Sequence, residues 1–244
     1  MTTTAAATPQ PGTPQPAPPV PPPRRRKRGR AVRISNVSWD EYEKLTEVFA
    51  ERPALRMTYD DGELEIMVPS LGHDFSDRIL ATLVQILAEE CGVPIRPGGS
   101  VTMKSKKKLK GIEGDDVFWL ANANKLAGVT DLDLKIHPPP DLAVEVDVTH
   151  SSMDRLKIYA RLGVPEVWRL DGDELNFYVL TGKKYQVATR SRAFPIVAGT
   201  DLVPVIGQAR AAGDQTPVYR GFRVWLRQRL ASAAPPAPPP PATP

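Results

Sequence analysis

The sequence predicts an α/β sandwich, a mixed sheet with a helix on each face, and three observations carry that prediction. The middle of the chain reads helix, three strands, helix, strand. Its longest apolar periodicity, from His73 to Glu90, is helical, whereas Leu142 to Val148 alternates with a period of two. No Gly-rich phosphate turn joins a strand to a helix, so the chain does not read as a doubly wound nucleotide fold. The Gly98-Gly99 pair reads as a turn or bulge.

Each element has its own warrant. Ser38-Trp39-Asp40-Glu41 has the form of a capping box and opens a helix through about Val48. Arg56 to Tyr59 and Glu63 to Val68 alternate around Asp60-Asp61-Gly62, a hairpin signal. Ile79, Leu80, Leu83, Val84 and Leu87 stripe the long helix, and Gly92 stops it. Strands are expected near Ile95 to Met103, Asp115 to Leu120 and Leu142 to Val148. A helix from Ser152 to Arg161 closes at Gly163, and Pro165 opens a strand through Leu170. Glu174 to Leu180 and Lys184 to Thr189 read as a hairpin across Thr181-Gly182, and an amphipathic helix runs from about Val218 to Leu230.

The ends differ from the middle. Residues 1–23 are mostly Thr, Ala, Gln and Pro, and 231–244 mostly Ala and Pro, too little apolar surface to offset chain entropy. The expected organisation is a disordered Pro-rich and Arg-rich arm over residues 1–33, a single domain over 34–230 and a disordered tail over 231–244. Formal net charge is +4, yet Arg24, Arg25, Arg26, Lys27, Arg28 and Arg30 supply six cations, leaving 26 of the 32 basic residues against 28 acidic ones. The basicity is thus an appendage, suited to neutralising nucleic-acid phosphates or to solubility and localisation. Cys91 is the only cysteine, so no intrachain disulfide forms. The start lacks the apolar core of a signal peptide and no run approaches bilayer-spanning length; a soluble cytoplasmic protein is expected.

The chemistry concentrates in Pro138-Pro139-Pro140-Asp141-Leu142-Ala143-Val144-Glu145-Val146-Asp147. On a strand Glu145 and Asp147 share a face while Val144 and Val146 point to the other. Such a pair is costly to bury unless something cationic sits against it, and oxygen ligands suit Mg²⁺ or Mn²⁺; the alternative is an edge strand with one wetted face. Asp115 and Asp116 head a neighbouring strand candidate, and strands lie roughly 5 Å apart, so acids from both can meet one ion. Lys104, Lys106, Lys107, Lys108 and Lys110 form a second basic cluster, either a grip on phosphates or a solvated loop. Trp119 and Trp168 read as core.

Three runs resemble the Uma-type "putative restriction endonuclease" family of the PD-(D/E)XK nuclease superfamily. They are Gly111-Ile112-Glu113-Gly114-Asp115-Asp116-Val117-Phe118-Trp119, the segment around Glu145, and Met153-Asp154-Arg155-Leu156-Lys157-Ile158-Tyr159 with Gly163-Val164-Pro165-Glu166-Val167-Trp168. Asp61-Gly62-Glu63-Leu64, with His73 ten residues on, matches the family's opening, and the likeness spans roughly residues 35–205. It implies a restriction-endonuclease-like αβββαβ core. Asp115 would be the acid of the first motif, with Gly114 where Pro is usual, and Glu145 the acid of the second. Asp147 stands where the superfamily has its water-activating Lys, and Arg155 where many members have a Lys four residues before the Tyr. The resemblance thus implies Asp115 and Glu145 as metal ligands, with the departure at Asp147 read as an extra ligand, Arg155 or Lys157 as phosphate support, and His73 and Glu63 as further site residues. Arg155 can hold phosphate but not act as a base at neutral pH. The expected function is Mg²⁺-dependent hydrolysis of DNA phosphodiesters, by a homodimer if both strands are cut. Lys106, Lys107 and Lys108 join the arm as nucleic-acid contacts. The alternative is a catalytically degenerate nucleic-acid-binding module on the same fold. A sugar-cleaving enzyme suits two acids on one strand face less well.

Overall fold

A computed structural model describes residues 30–50, 55–69, 71–147 and 153–233, a mixed α/β architecture with two sheets and five helices. Arg24 to Arg28, Val148 and residues 234–244 lie outside the described residues. The elements are β1 (Arg30–Ile34), α1 (Trp39–Val48), β2 (Arg56–Asp60), β3 (Glu63–Val68), α2 (Leu71–Cys91), β4 (Arg96–Gly99) and β5 (Thr102–Ser105). A 3₁₀ turn (Lys106–Lys108) leads to β6 (Lys110–Glu113), β7 (Asp116–Trp119) and, after a second such turn, β8 (Leu142–Asp147). The rest are α3 (Arg155–Leu162), β9 (Glu166–Asp171), β10 (Glu174–Thr181), β11 (Lys184–Ala188), α4 (Gly199–Ala211) and α5 (Thr216–Ala233).

One sheet has the order β1-β3-β2-β6-β5 and the other β11-β10-β9-β8-β7-β4. In the larger sheet β8 and β9 run parallel, with α3 as their crossover; its other pairs are antiparallel. The segment α2, β4, β7, β8, α3, β9 is the expected αβββαβ core, with the hairpin β5–β6 inserted into it.

The periodicities explain the layers. Even-numbered residues of β8, Leu142, Val144 and Val146, join the α2 core with Leu80, Leu83, Val84 and Leu87. On the opposite face Ala143 belongs to the cluster of Ile158, Tyr159 and Leu162 from α3. Glu145 and Asp147 therefore point towards α3, the face the alternation assigns them. Trp168 is fully buried on β9, its ring 4.6 Å from that of Phe177, and Trp119 is buried on β7.

Several expectations are corrected. Residues 30–33, assigned to the arm, are in β1, where Val32 and Ile34 pair with Ile66 and Leu64 of β3. Residues 231–233, assigned to the tail, continue α5. The strand expected over Ile95 to Met103 is two strands in different sheets, parted after a register shift at Pro97 and Gly99. The lysine cluster is no loose loop: Lys104 lies in β5 and Lys110 in β6, and the two strands form a hairpin.

Candidate functional site

Strands β8 and β9, helix α3 and the residue just ahead of β7 build a cavity of about 310 Å³ lined by Asp115, Glu145, Asp147, Arg155, Tyr159 and Arg169, among others. Asp115 sits just ahead of β7 and is buried. Its Oδ2 accepts a 2.8 Å hydrogen bond from the Val146 N–H, which fastens it to β8 between the two strand acids. His73, in the first turn of α2, brings Nε2 to 3.0 Å from the same oxygen. Burial works against charge on His73, but the bond to Asp115 and the negative charge around it hold its pKa above the usual histidine value. Asp115 Oδ1 is buried with no hydrogen-bond partner among the described residues.

Glu145 meets a cation from α3. The N-cap Asp154 starts that helix, its side chain accepting from the Lys157 N–H, and Arg155 and Tyr159, four residues apart, share its inner face. Arg155 Nε donates to Glu145 Oε2 and Nη2 to Oε1, both at 2.8 Å, a bidentate pair, and the Tyr159 hydroxyl donates to Oε1. Arg155 also donates to Thr58 Oγ1 at 2.8 Å and to the Glu113 carbonyl at 2.9 Å, tying both sheets to α3. Burial pushes the Glu145 carboxyl up from its ordinary range; Arg155 pulls it back and Asp115 pushes it further up. Burial also disfavours the Arg155 charge, but Glu145 holds that guanidinium above its ordinary pKa.

Asp147 is paired with Arg169, which β9 carries directly beside Glu145 in the parallel ladder. The premise that the strand acids need a cation therefore holds, and the cations against Glu145 and Asp147 are two arginines. Gly114, where the resemblance expects Pro, has a local reason: a Cβ there would lie 2.6 Å from the Tyr159 hydroxyl. Glycine leaves the room that lets Tyr159 reach Glu145.

Whether a divalent cation suits these residues turns on the lone pairs left. Among the described residues no three His, Cys, Asp or Glu side chains are grouped as metal ligands. Asp115, Glu145 and Asp147 share the cavity lining, with Asp147 engaged by Arg169 and Glu145 Oε1 by two donors. Two oxygens keep capacity, Asp115 Oδ1 and, with one donor only, Glu145 Oε2. Were a hard cation held here, these two oxygens would be its carboxylate ligands, with water completing its shell.

Other expected residues fall elsewhere. Glu63 accepts from Arg33 Nε at 2.8 Å and from the Ser35 hydroxyl on the smaller sheet, and does not line the cavity. Lys157 is exposed on the outer side of α3. Lys106 pairs with Asp40 at 3.0 Å, whereas Lys107 and Lys108 line a separate groove with Lys157. Reasoning from sequence missed Thr58, Arg169 and the hydrogen bond from Tyr159 to Glu145; the spacing of Arg155 and Tyr159 and the lone Arg in Val167-Trp168-Arg169-Leu170 were the available signals. It also missed Asp77 of α2, which lines a second pocket with Asp74, Arg78, Asp115 and Asp116.

Comparison with known proteins adds a family. The model of the family described as "Uma2: Putative restriction endonuclease" matches residues 39–209, well over half of the chain. A search of the curated proteins found no match. Among solved structures, a crystal structure described as "a putative nuclease belonging to DUF820 from Anabaena variabilis" aligns at 16% identity and a TM-score of 0.47, covering 70% of this chain and 99% of that one.

Proposed function

This chain belongs to the Uma2 family, and from that premise we propose that it is a nuclease hydrolysing DNA phosphodiester bonds at the cavity between β8 and α3. One observation carries the reading. Two buried carboxylates, Asp115 and Glu145, line one cavity, and the Oδ1 of Asp115 has no partner among the described residues. In this reading Asp115 and Glu145 hold a Mg²⁺ or Mn²⁺ ion, which would supply an activated water and charge stabilisation at phosphorus. The chain's own groups do the rest. Val146 N–H and His73 fix Asp115 in orientation, and Tyr159 and Arg155 fix Glu145. Arg155 and Arg169 line the cavity as permanent cations that favour a bound phosphodiester over water. Cutting both strands of a duplex calls for two sites, so the reading includes a homodimer.

A specific observation favours a second reading, a nucleic-acid-binding module without turnover. The pairs Arg155 with Glu145 and Arg169 with Asp147 already neutralise the strand acids, and among the described residues no lysine lines the cavity. Incubating supercoiled plasmid with purified protein in Mg²⁺, Mn²⁺ or EDTA, beside Asp115→Asn and Glu145→Gln, separates the two. The nuclease predicts metal-dependent nicking lost in both variants. Absence of nicking with retained DNA binding assigns the chain to the binding module.

A further inference from the structure

A groove of about 530 Å³ lies outside the acidic cavity, lined by Lys107, Lys108, Lys110, Lys157 and Arg161 with Asp60 and Asp61. Three elements build it. Lys157 and Arg161, four residues apart, project from the outer face of α3, whose inner face carries Arg155 and Tyr159. Lys107 and Lys108 come from the 3₁₀ turn between β5 and β6. The end of β2 and the turn that follows it supply Asp60 and Asp61.

The lysine turn is held in place. Leu109 closes it in the left-handed conformation, φ 49°, a strained setting for a branched apolar residue, and its N–H bonds back to the Lys106 carbonyl at 3.1 Å. The Leu109 carbonyl in turn accepts a 3.0 Å bond from the N–H of Asp61, itself at φ 51°. Two hairpin ends are thus locked together beside α3. Lys110 is engaged by Asp60. Lys107, Lys108, Lys157 and Arg161 are exposed, and among the described residues none of them forms a side-chain ion pair. Four unpartnered cations converge on one groove against Asp61 alone, an arrangement that favours a ligand with repeated negative charge.

We propose that this groove docks the phosphate backbone of a nucleic acid and so positions the strand whose cleavage is assigned to the cavity on the other face of α3. The inference rests on the nuclease reading for its substrate, but it makes a separate measurement. Each phosphate neutralised by a cation contributes about 0.9 to the slope of log binding constant against log salt on duplex DNA.

The test uses the full chain, arm included, and a fluorescein-labelled DNA duplex, with binding read by anisotropy across a salt series. One variant carries Lys107→Gln, Lys108→Gln, Lys157→Gln and Arg161→Gln. A control removes four exposed charges elsewhere through Lys125→Gln, Lys135→Gln, Lys183→Gln and Lys184→Gln. Circular dichroism verifies that both fold. The groove variant is expected to lose about 2 to 4 units of slope, and the control less than about 1. Equal losses in both, no loss in the groove variant, or no DNA binding by the parent chain overturns the proposal. Plasmid nicking is scored on the same preparations: slope loss without any nicking keeps the groove and refutes the nuclease, and nicking with unchanged slope does the reverse.

Discussion

Arg155→Met asks what the guanidinium does for the fold. Methionine keeps roughly the length of the side chain and removes its charge and all its donors. Arg155 and Glu145 are 14% and 10% exposed, so the pair is shielded from solvent and removal of one partner strands a buried carboxylate. That loss costs about 3–5 kcal/mol. Thr58 Oγ1 and the Glu113 carbonyl also lose a charged donor, which places the effect in the upper part of that range. For a chain of this size each kcal/mol moves the melting temperature by about 2–4 °C, so a fall of roughly 10 °C or more is expected. Urea denaturation followed by tryptophan fluorescence gives the free energies, with buried Trp168 as reporter. Because the penalty belongs to an unpaired charge, Glu145→Gln in the Arg155→Met background should restore most of the loss. A double-mutant cycle should return a coupling of about 2–3 kcal/mol. A loss under about 1 kcal/mol for Arg155→Met, or additive single effects, would refute the idea that the two side chains act as a neutralising unit.

Asp77 gives a pH dependence. Burial, with the charges of Asp115 and Asp116 adding and His73 and Arg78 opposing, pushes its carboxyl up to about 7. A carboxyl raised in the folded state costs nothing while both states are protonated; the cost grows between about pH 4 and 7 and is complete above that. Asp77→Asn should therefore raise the melting temperature more at pH 8 than at pH 5, by the equivalent of about 2–4 kcal/mol; an equal gain at both would disprove it. Gly114→Ala puts a Cβ against the Tyr159 hydroxyl and should cost about 1–3 kcal/mol in thermal denaturation. In a Tyr159→Phe background that cost should shrink, and an undiminished cost would show that some other contact is responsible.

What could be read in advance follows from how local each signal is. The Ser38 and Glu41 side chains form their reciprocal cap, Gly163 ends α3 at φ 94°, and the β8 alternation sets Glu145 on the α3 face; each depends on a few adjacent residues. The division into two sheets does not. It turns on Gly98, where a Cβ would collide with the Trp119 ring, and on the break that sends β5 to β6 and away from β7. The helix α4 hides behind Gly199, Pro204 and Gly207, poor helix formers, and is held instead by Leu202, Ile206 and Ala209 packed into the main core. At the site the acids were legible as acids, but their counter-charges were not. Arg169 reaches Asp147 through a parallel register, and Thr58 is 97 positions from the arginine it meets.

The parallel pairing of β8 with β9 bears on engineering. An antiparallel neighbour can be joined by two residues, but a parallel one needs a crossover, and here that crossover is α3. The helix cannot be shortened or interrupted without parting the two strands, so its span is closed to insertion. The tight turn at Gly182, φ 63°, joins β10 to β11 and lines neither the cavity nor the basic groove. A fused sequence-reading module or a fluorescent reporter belongs at that turn, where added length is tolerated and both faces of α3 are left as they are.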